Sequence, residues 1–188
     1  MKHLVRCISI FCVAVMGIPA VSQAFDMKLS PEQIKEATAC GVLNKGKDVF
    51  ESPHITSARF GEYPQGEGGL IMSKFVEVAV VSAMKALKEK AITQDDVKEI
   101  EGSQTFNVVV VIANESLASP EDVQITLVQG SNNILPQKTT FGMMYKNNKQ
   151  SVVGAFQCSK INPRANTTIL VKTKKGQRKY KIDFADVK

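Results

Sequence analysis

The densest chemistry in the chain is the run KTKKGQRKYK, from Lys172 to Lys181. Strand alternation sets Lys172 and Lys174 on one face, and Lys179 and Lys181 on the equivalent side of the facing strand. Lys175 and Arg178 flank a glycine turn at Gly176. Six cations in that arrangement attract anions, which makes Lys172, Lys174, Lys175, Arg178, Lys179 and Lys181 the candidate contacts for an anionic surface. The competing role is plainer: lysines on an edge hairpin keep a sheet from pairing with other chains. Tyr180 is the only aromatic residue in the run. Single-stranded nucleic acid is usually held by several stacked aromatics, so an anionic polymer or an acidic protein face is the expected partner, and nucleic acid is not.

Other reactive residues are sparse. His54, in ESPHITSARF, has only Glu51 close in sequence. Zinc needs three or four ligands, commonly paired at short spacing, and a serine triad needs an orienting acid and a nucleophile such as Ser52 or Ser57. His54 therefore reads as a polar loop residue. Asp95, Asp96, Glu99 and Glu101 share one short helix, which gives a solvated face rather than two carboxylates opposed across a cleft. The loop GEYPQGEGG (61–69) places Glu67 after Gly66, where a phosphate loop needs lysine. No catalytic residue, metal or cofactor is expected. Phe141, Met143, Met144 and Tyr145 read first as core, with an adaptable apolar contact surface as the alternative.

The address comes from the other end. Lys2, His3 and Arg6 precede an apolar run from Cys7 to Val21, followed by Ser22-Gln23-Ala24. This is the pattern of a cleaved secretory leader at 1–24, and the run is short for a membrane span. The expected product begins at Phe25, is periplasmic or extracellular, and has no transmembrane span. Cleavage removes Lys2 and Arg6, so the formal charge falls from +6 to +4. From Ser159 onward the local net charge is +7, leaving −3 for the rest. Of four cysteines, Cys40 and Cys158 survive processing. An even pair in an oxidising compartment reads as a disulfide, with two separate buried thiols as the alternative.

These residues must be positioned by a mixed scaffold. Ser30, Pro31 and Glu32 open a helix that Asn44 and Gly46 close, with Ile34, Ala37, Cys40 or Gly41, and Leu43 on its apolar face. Residues 47–69 read as irregular. Residues 73–90 form a largely buried helix, with Val80, Ala83, Met84 and Leu87 inward. Thr93 and Asp96 cap a short helix ending at Gly102. Then the period changes. TFNVVVVIAN reads as a central strand, and DVQITLV alternates Val123, Ile125 and Leu127 to one face. TTFGMMY, SVVGAFQ, TTILVKT and RKYKIDF follow between short turns. The fold class is α+β: two to three N-terminal helices over 25–102, with the glycine-rich loop at 61–69, packed with an antiparallel β-sandwich of six to seven strands over 103–188.

The tail SKINPRANTTILVKTKKGQRKYKIDFADV resembles the last strands of an immunoglobulin-like sandwich domain. LSPEQIKEATACGVLNKGK is similar to the opening of small exported bacterial proteins without an assigned activity. The resemblance implies an immunoglobulin-like C-terminal sandwich and no catalytic residues. The function expected is a non-catalytic binding or accessory module of the bacterial cell envelope. The alternatives are a structural subunit that assembles by strand addition at an open sheet edge, and a small secreted enzyme with a site near the 47–69 loop.

Overall fold

A computed structural model describes residues 28–113, 117–145 and 149–187, with backbone only at 143–145. The expected leader at 1–24 and its expected cleavage site lie outside the described residues, as do the side chains of Met143, Met144 and Tyr145.

Helix α1 (Pro31–Leu43) starts where the capping residues require. Gln33 N donates to Ser30 Oγ at 3.2 Å, and Ser30 N donates to Gln33 Oε1 at 2.7 Å. Its buried face is Gln33, Ala37, Cys40 and Gly41. Leu43 is 73 % exposed, against expectation. The reason is Gly41: a Cβ there would lie 2.2 Å from Ala79 O, so the helix presses its Gly41 side on its neighbour. Leu43, two residues on, points roughly 200° round the axis at 3.6 residues per turn.

Residues 47–69, expected to be irregular, hold two 3-10 segments, Val49–Glu51 and Pro53–Ala58, and then a hairpin. Strands β1 (Arg59–Gly61) and β2 (Gly68–Met72) pair antiparallel across the Glu62–Glu67 turn. Gly69 hid this strand from a propensity reading, because glycine is poor in strands. Here it is needed: a Cβ would fall 1.9 Å from Val109 O of the next strand.

Helix α2 (Lys74–Leu87) is a single helix, its first turn capped by Ser73. It buries Phe75, Val76, Val78, Ala79, Ser82 and Ala83. Met84 and Leu87, expected inward, are 57 % and 61 % exposed, because the small residues of α2 take the seam against α1. Lys74 is 2 % exposed, and its Nζ donates to Ser103 O at 3.1 Å. This fixes the start of α2 to the end of α3 (Gln94–Gly102).

The capping box of α3 forms as expected: Asp96 N donates to Thr93 Oγ1, and Thr93 N donates to Asp96 Oδ2 at 2.7 Å. Lys85 of α2 also donates to Asp96, and this hydrogen bond, with those from Thr93, holds the carboxyl down at about 2. A depressed carboxylate pKa stabilises the fold above the ordinary range and loses that contribution as pH falls through the folded value. Asp96→Asn is therefore expected to lower stability at neutral pH, with the gap to wild type closing between pH about 4 and about 2. Urea unfolding at stepped pH reads this. A gap unchanged at acid pH would show that charge at Asp96 contributes nothing.

The remaining strands build two antiparallel sheets. The five-stranded sheet has the order β1-β2-β3-β7-β6, using β3 (Thr105–Ala113), β6 (Lys138–Tyr145) and β7 (Lys149–Gln157). The four-stranded sheet is β5-β4-β8-β9, using β4 (Gln124–Gln129), β5 (Asn132–Ile134), β8 (Thr167–Thr173) and β9 (Gly176–Ile182). β3 is central; Phe106, Val108, Val110 and Ile112 bury one face, while on the other Val111 is buried but Asn107 and Val109 are half-buried, so the burial on both faces expected from the apolar run is only partial. Phe106, Val108, Val110 and Ile112 of β3 share one core with Ile125, Leu127, Ile169 and Val171 of the other sheet. Because β2 pairs with β3 from Gly68↔Val111 to Met72↔Asn107, the 25–102 region supplies two strands of the sheet as well as the helices.

Candidate functional site

The basic run is the β8–β9 hairpin. Its register pairs Lys172 with Gln177, Leu170 with Lys179 and Thr168 with Lys181. In a paired ladder, opposite residues share a face. Lys172, Lys179 and Lys181 therefore lie together on the outer face, all exposed, while Val171, Ile169 and Ile182 point inward. The register of β4 against β8 adds Gln124, Thr126 and Val128 to that outer face.

The other three candidate cations do not join them. Arg178 stands opposite buried Val171, on the inward side, and its Nε meets Glu67 Oε2 at 2.7 Å. Lys174 sits in the turn, with its Nζ 3.0 Å from Asp122 Oδ1; this contact holds the Asp122 carboxyl below the usual carboxylate range. Lys175 occupies the same turn, and its backbone N donates to Thr173 Oγ1. Tyr180 also faces inward and packs on Phe60 of β1, ring centres 5.1 Å apart, with burial pushing its hydroxyl pKa up. The run does form a hairpin, but two of its six cations, Lys174 and Arg178, are engaged by carboxylates. Glu67 and Asp122 lie far away in the chain, so no local pattern reveals them.

The glycine-rich loop has a packing role here. Glu67 holds Arg178, and Gln65 O accepts from Lys149 Nζ at 2.6 Å. The loop thus ties β9 of one sheet and β7 of the other to the β1–β2 turn.

His54 Nδ1 lies 3.6 Å from Glu36 Oε1 of α1, on the surface, with no serine hydroxyl paired to its ring among the described residues. Sequence reasoning missed one carboxylate, Glu77. It lines a cleft of about 330 Å3 with Asp96, Glu99 and Ser103. Burial raises the Glu77 pKa, an effect Lys74 opposes. Its place as the one charged residue inside the apolar helical run FVEVAVV is the signal that could have found it. Asp96 in the same cleft is already engaged by Lys85 and Thr93. Within the described residues no group of three or more His, Cys, Asp or Glu could hold a metal ion.

The Cys40–Cys158 disulfide expected from the even cysteine count is not formed: both are free, buried thiols. The physical reason is placement. Cys40 Sγ lies 3.3 Å from Ser52 Oγ, on the α1 side of the helices. Cys158 follows β7 and feels Lys74 and Glu77 at the start of α2, with burial pushing its thiol pKa up. Thiol titration is expected to find neither group reactive in the folded chain and both reactive once it is unfolded without reductant. No free thiol after unfolding would restore the disulfide.

No helix among the described residues is long and apolar enough to cross a membrane. Family models, curated proteins and solved structures provide no match to this chain.

Proposed function

We propose that the chain is an exported, non-catalytic binding or accessory module of the bacterial cell envelope, built on an immunoglobulin-like sandwich. Strand order carries this reading. β2-β3-β7-β6 faced by β5-β4-β8-β9 follows the chain order of an A-B-E-D sheet opposed by a C′-C-F-G sheet. Such sandwiches present sheet faces and end loops to partners, and the leader-like residues 1–24 supply the address. Two measurements test it. Intact mass of the protein recovered outside the cytoplasm should correspond to a start at Phe25. The same protein should co-sediment with isolated envelopes. A mass that retains the leader, or a protein left in the supernatant, overturns the reading.

A second reading, assembly by strand addition, has one observation in its favour. Edges β1 and β9 lie against each other through Phe60–Tyr180 and Glu67–Arg178. The other two edges are β5 and β6; Phe141 of β6 is 38 % exposed, and Leu135, just after β5, is 59 % exposed. If this edge builds polymers, Phe141→Lys should leave only monomer by light scattering. Monomeric wild type at high concentration removes the idea.

A further inference from the structure

We infer that the outer face of the four-stranded sheet is a docking surface for a linear polyanion, gripped by Lys172, Lys179 and Lys181. The inference rests on the binding-module reading and specifies its surface and ligand class.

The face is defined by register. Across β4, β8 and β9 its members are Gln124, Thr126, Val128, Thr168, Leu170, Lys172, Gln177, Lys179 and Lys181. Every charged residue in that set is a cation. None of the three lysines is among the ion pairs of the described residues, which instead occupy Lys174 with Asp122 and Arg178 with Glu67. Carboxylates bound the patch rather than interrupt it. Asp122 lies by the turn, and Asp183 follows β9 at the far end, its Oδ1 accepting from Ala185 N.

Spacing then favours an extended ligand. Lys179 and Lys181 are two residues apart on one strand, about 7 Å. Lys172 is diagonal to Lys179, about 7–8 Å away. Three lysines rooted at that interval converge on one small anion only by bending their long side chains toward each other. They can each meet a separate anionic group along a chain.

The rest of the face selects among polyanions. Its apolar members, Val128 and Leu170, are half-buried between strands, so nothing projects to enter a bilayer. Its strands offer no aromatic ring to stack a base, since Tyr180 turns inward onto Phe60. Thr126, Thr168, Gln124 and Gln177 are hydrogen-bonding groups suited to the hydroxyls of a sugar chain. Charge complementarity and this polar surround point to an acidic polysaccharide.

The test uses the full processed chain with polygalacturonate, a linear polymer carrying a carboxylate on every sugar, and phosphatidylglycerol vesicles as the second arm. Polymer binding should weaken on the order of twentyfold from about 50 to about 200 mM salt, as three neutralised charges on a single-stranded polyanion, each releasing about 0.7 counterion, require. Lys172→Gln/Lys179→Gln/Lys181→Gln should weaken it by about tenfold or more at the lower salt. Lys174→Gln/Arg178→Gln removes two charges from the paired positions and should leave it within about twofold. Single Lys179→Gln gives the same reading on a minimal change if the triple variant misfolds. Losses in the two multiple variants proportional to the charge each removes would mean that net charge alone acts, and would overturn the site. Binding to vesicles but not polymer would also overturn it. Failure of export would sink the envelope reading while leaving this result standing.

Discussion

Gly41→Val is expected to be among the most damaging single substitutions in the helical layer. A Cβ at 41 would lie 2.2 Å from Ala79 O, 2.7 Å from Ser82 Cβ and 2.9 Å from Ala83 N. Two of those atoms are backbone, so no rotamer change relieves the clash. Helix α1 must move off α2, and the contacts of Ala37 and Cys40 loosen with it. Overpacking of this kind costs about 3 kcal/mol. For a domain of this size that lowers Tm by about 6–12 °C. Gly102→Ala is the control. Nothing stands within 4 Å of a Cβ there, and the residue ends α3. It should be neutral or stabilising by up to about 1 kcal/mol. Thermal melts of the two variants should move apart. Equal, small shifts in both would mean that the α1–α2 seam is not close-packed.

That seam shows why the helical half was only partly legible. Capping gave the helix starts, because Ser30 with Gln33, Ser73, and Thr93 with Asp96 satisfy backbone groups within a few residues. Facing was harder. A hydrophobic tally puts Leu43, Met84 and Leu87 inward. The fold instead buries glycine, alanine and serine, because close backbone approach gains more contact than large side chains held further apart. The β half read better. Val123, Ile125 and Leu127 alternate into the core as their period requires, and the valine run of β3 lies in the middle of its sheet. β1 and β2 escaped because three glycines at 61, 68 and 69 carry no strand signal, though neighbouring backbone demands them.

The surface divides in the same way. Alternation is local, so the outward placement of Lys172, Lys179 and Lys181 was available from sequence. Pairing is not. Arg178 with Glu67 spans the two sheets, and Lys174 with Asp122 joins the β8–β9 turn to the approach to β4. The cysteines failed for a related reason. Parity and compartment argue for a bond, but a bond needs two Cβ atoms about 4 Å apart, and each thiol has different neighbours.

Phe106→Ala is expected to cost the fold about 3–5 kcal/mol. Phe106 is 1 % exposed and opens β3. Its ring stacks on Phe156 of β7 at 5.8 Å and meets Phe184 edge-on at 5.8 Å. One side chain thus joins two strands of the five-stranded sheet to the segment after β9, which belongs to the other sheet. Truncation leaves a void at that junction, where the surrounding strands are held by their ladders and cannot collapse into it. Phe184→Ala removes the same edge contact from the far side. If the rings act as a cluster, the double variant should be less destabilised than the two singles added together, by about 0.5–1.5 kcal/mol. Urea unfolding of the four proteins gives the coupling. Hydrogen exchange adds a local reading: amides at 184–187 should lose protection in Phe106→Ala although the substitution is nearly eighty residues away in the chain. Strict additivity, or full protection at 184–187, would show that the C-terminal segment is held by Val187 and Ile182 rather than by the aromatic junction.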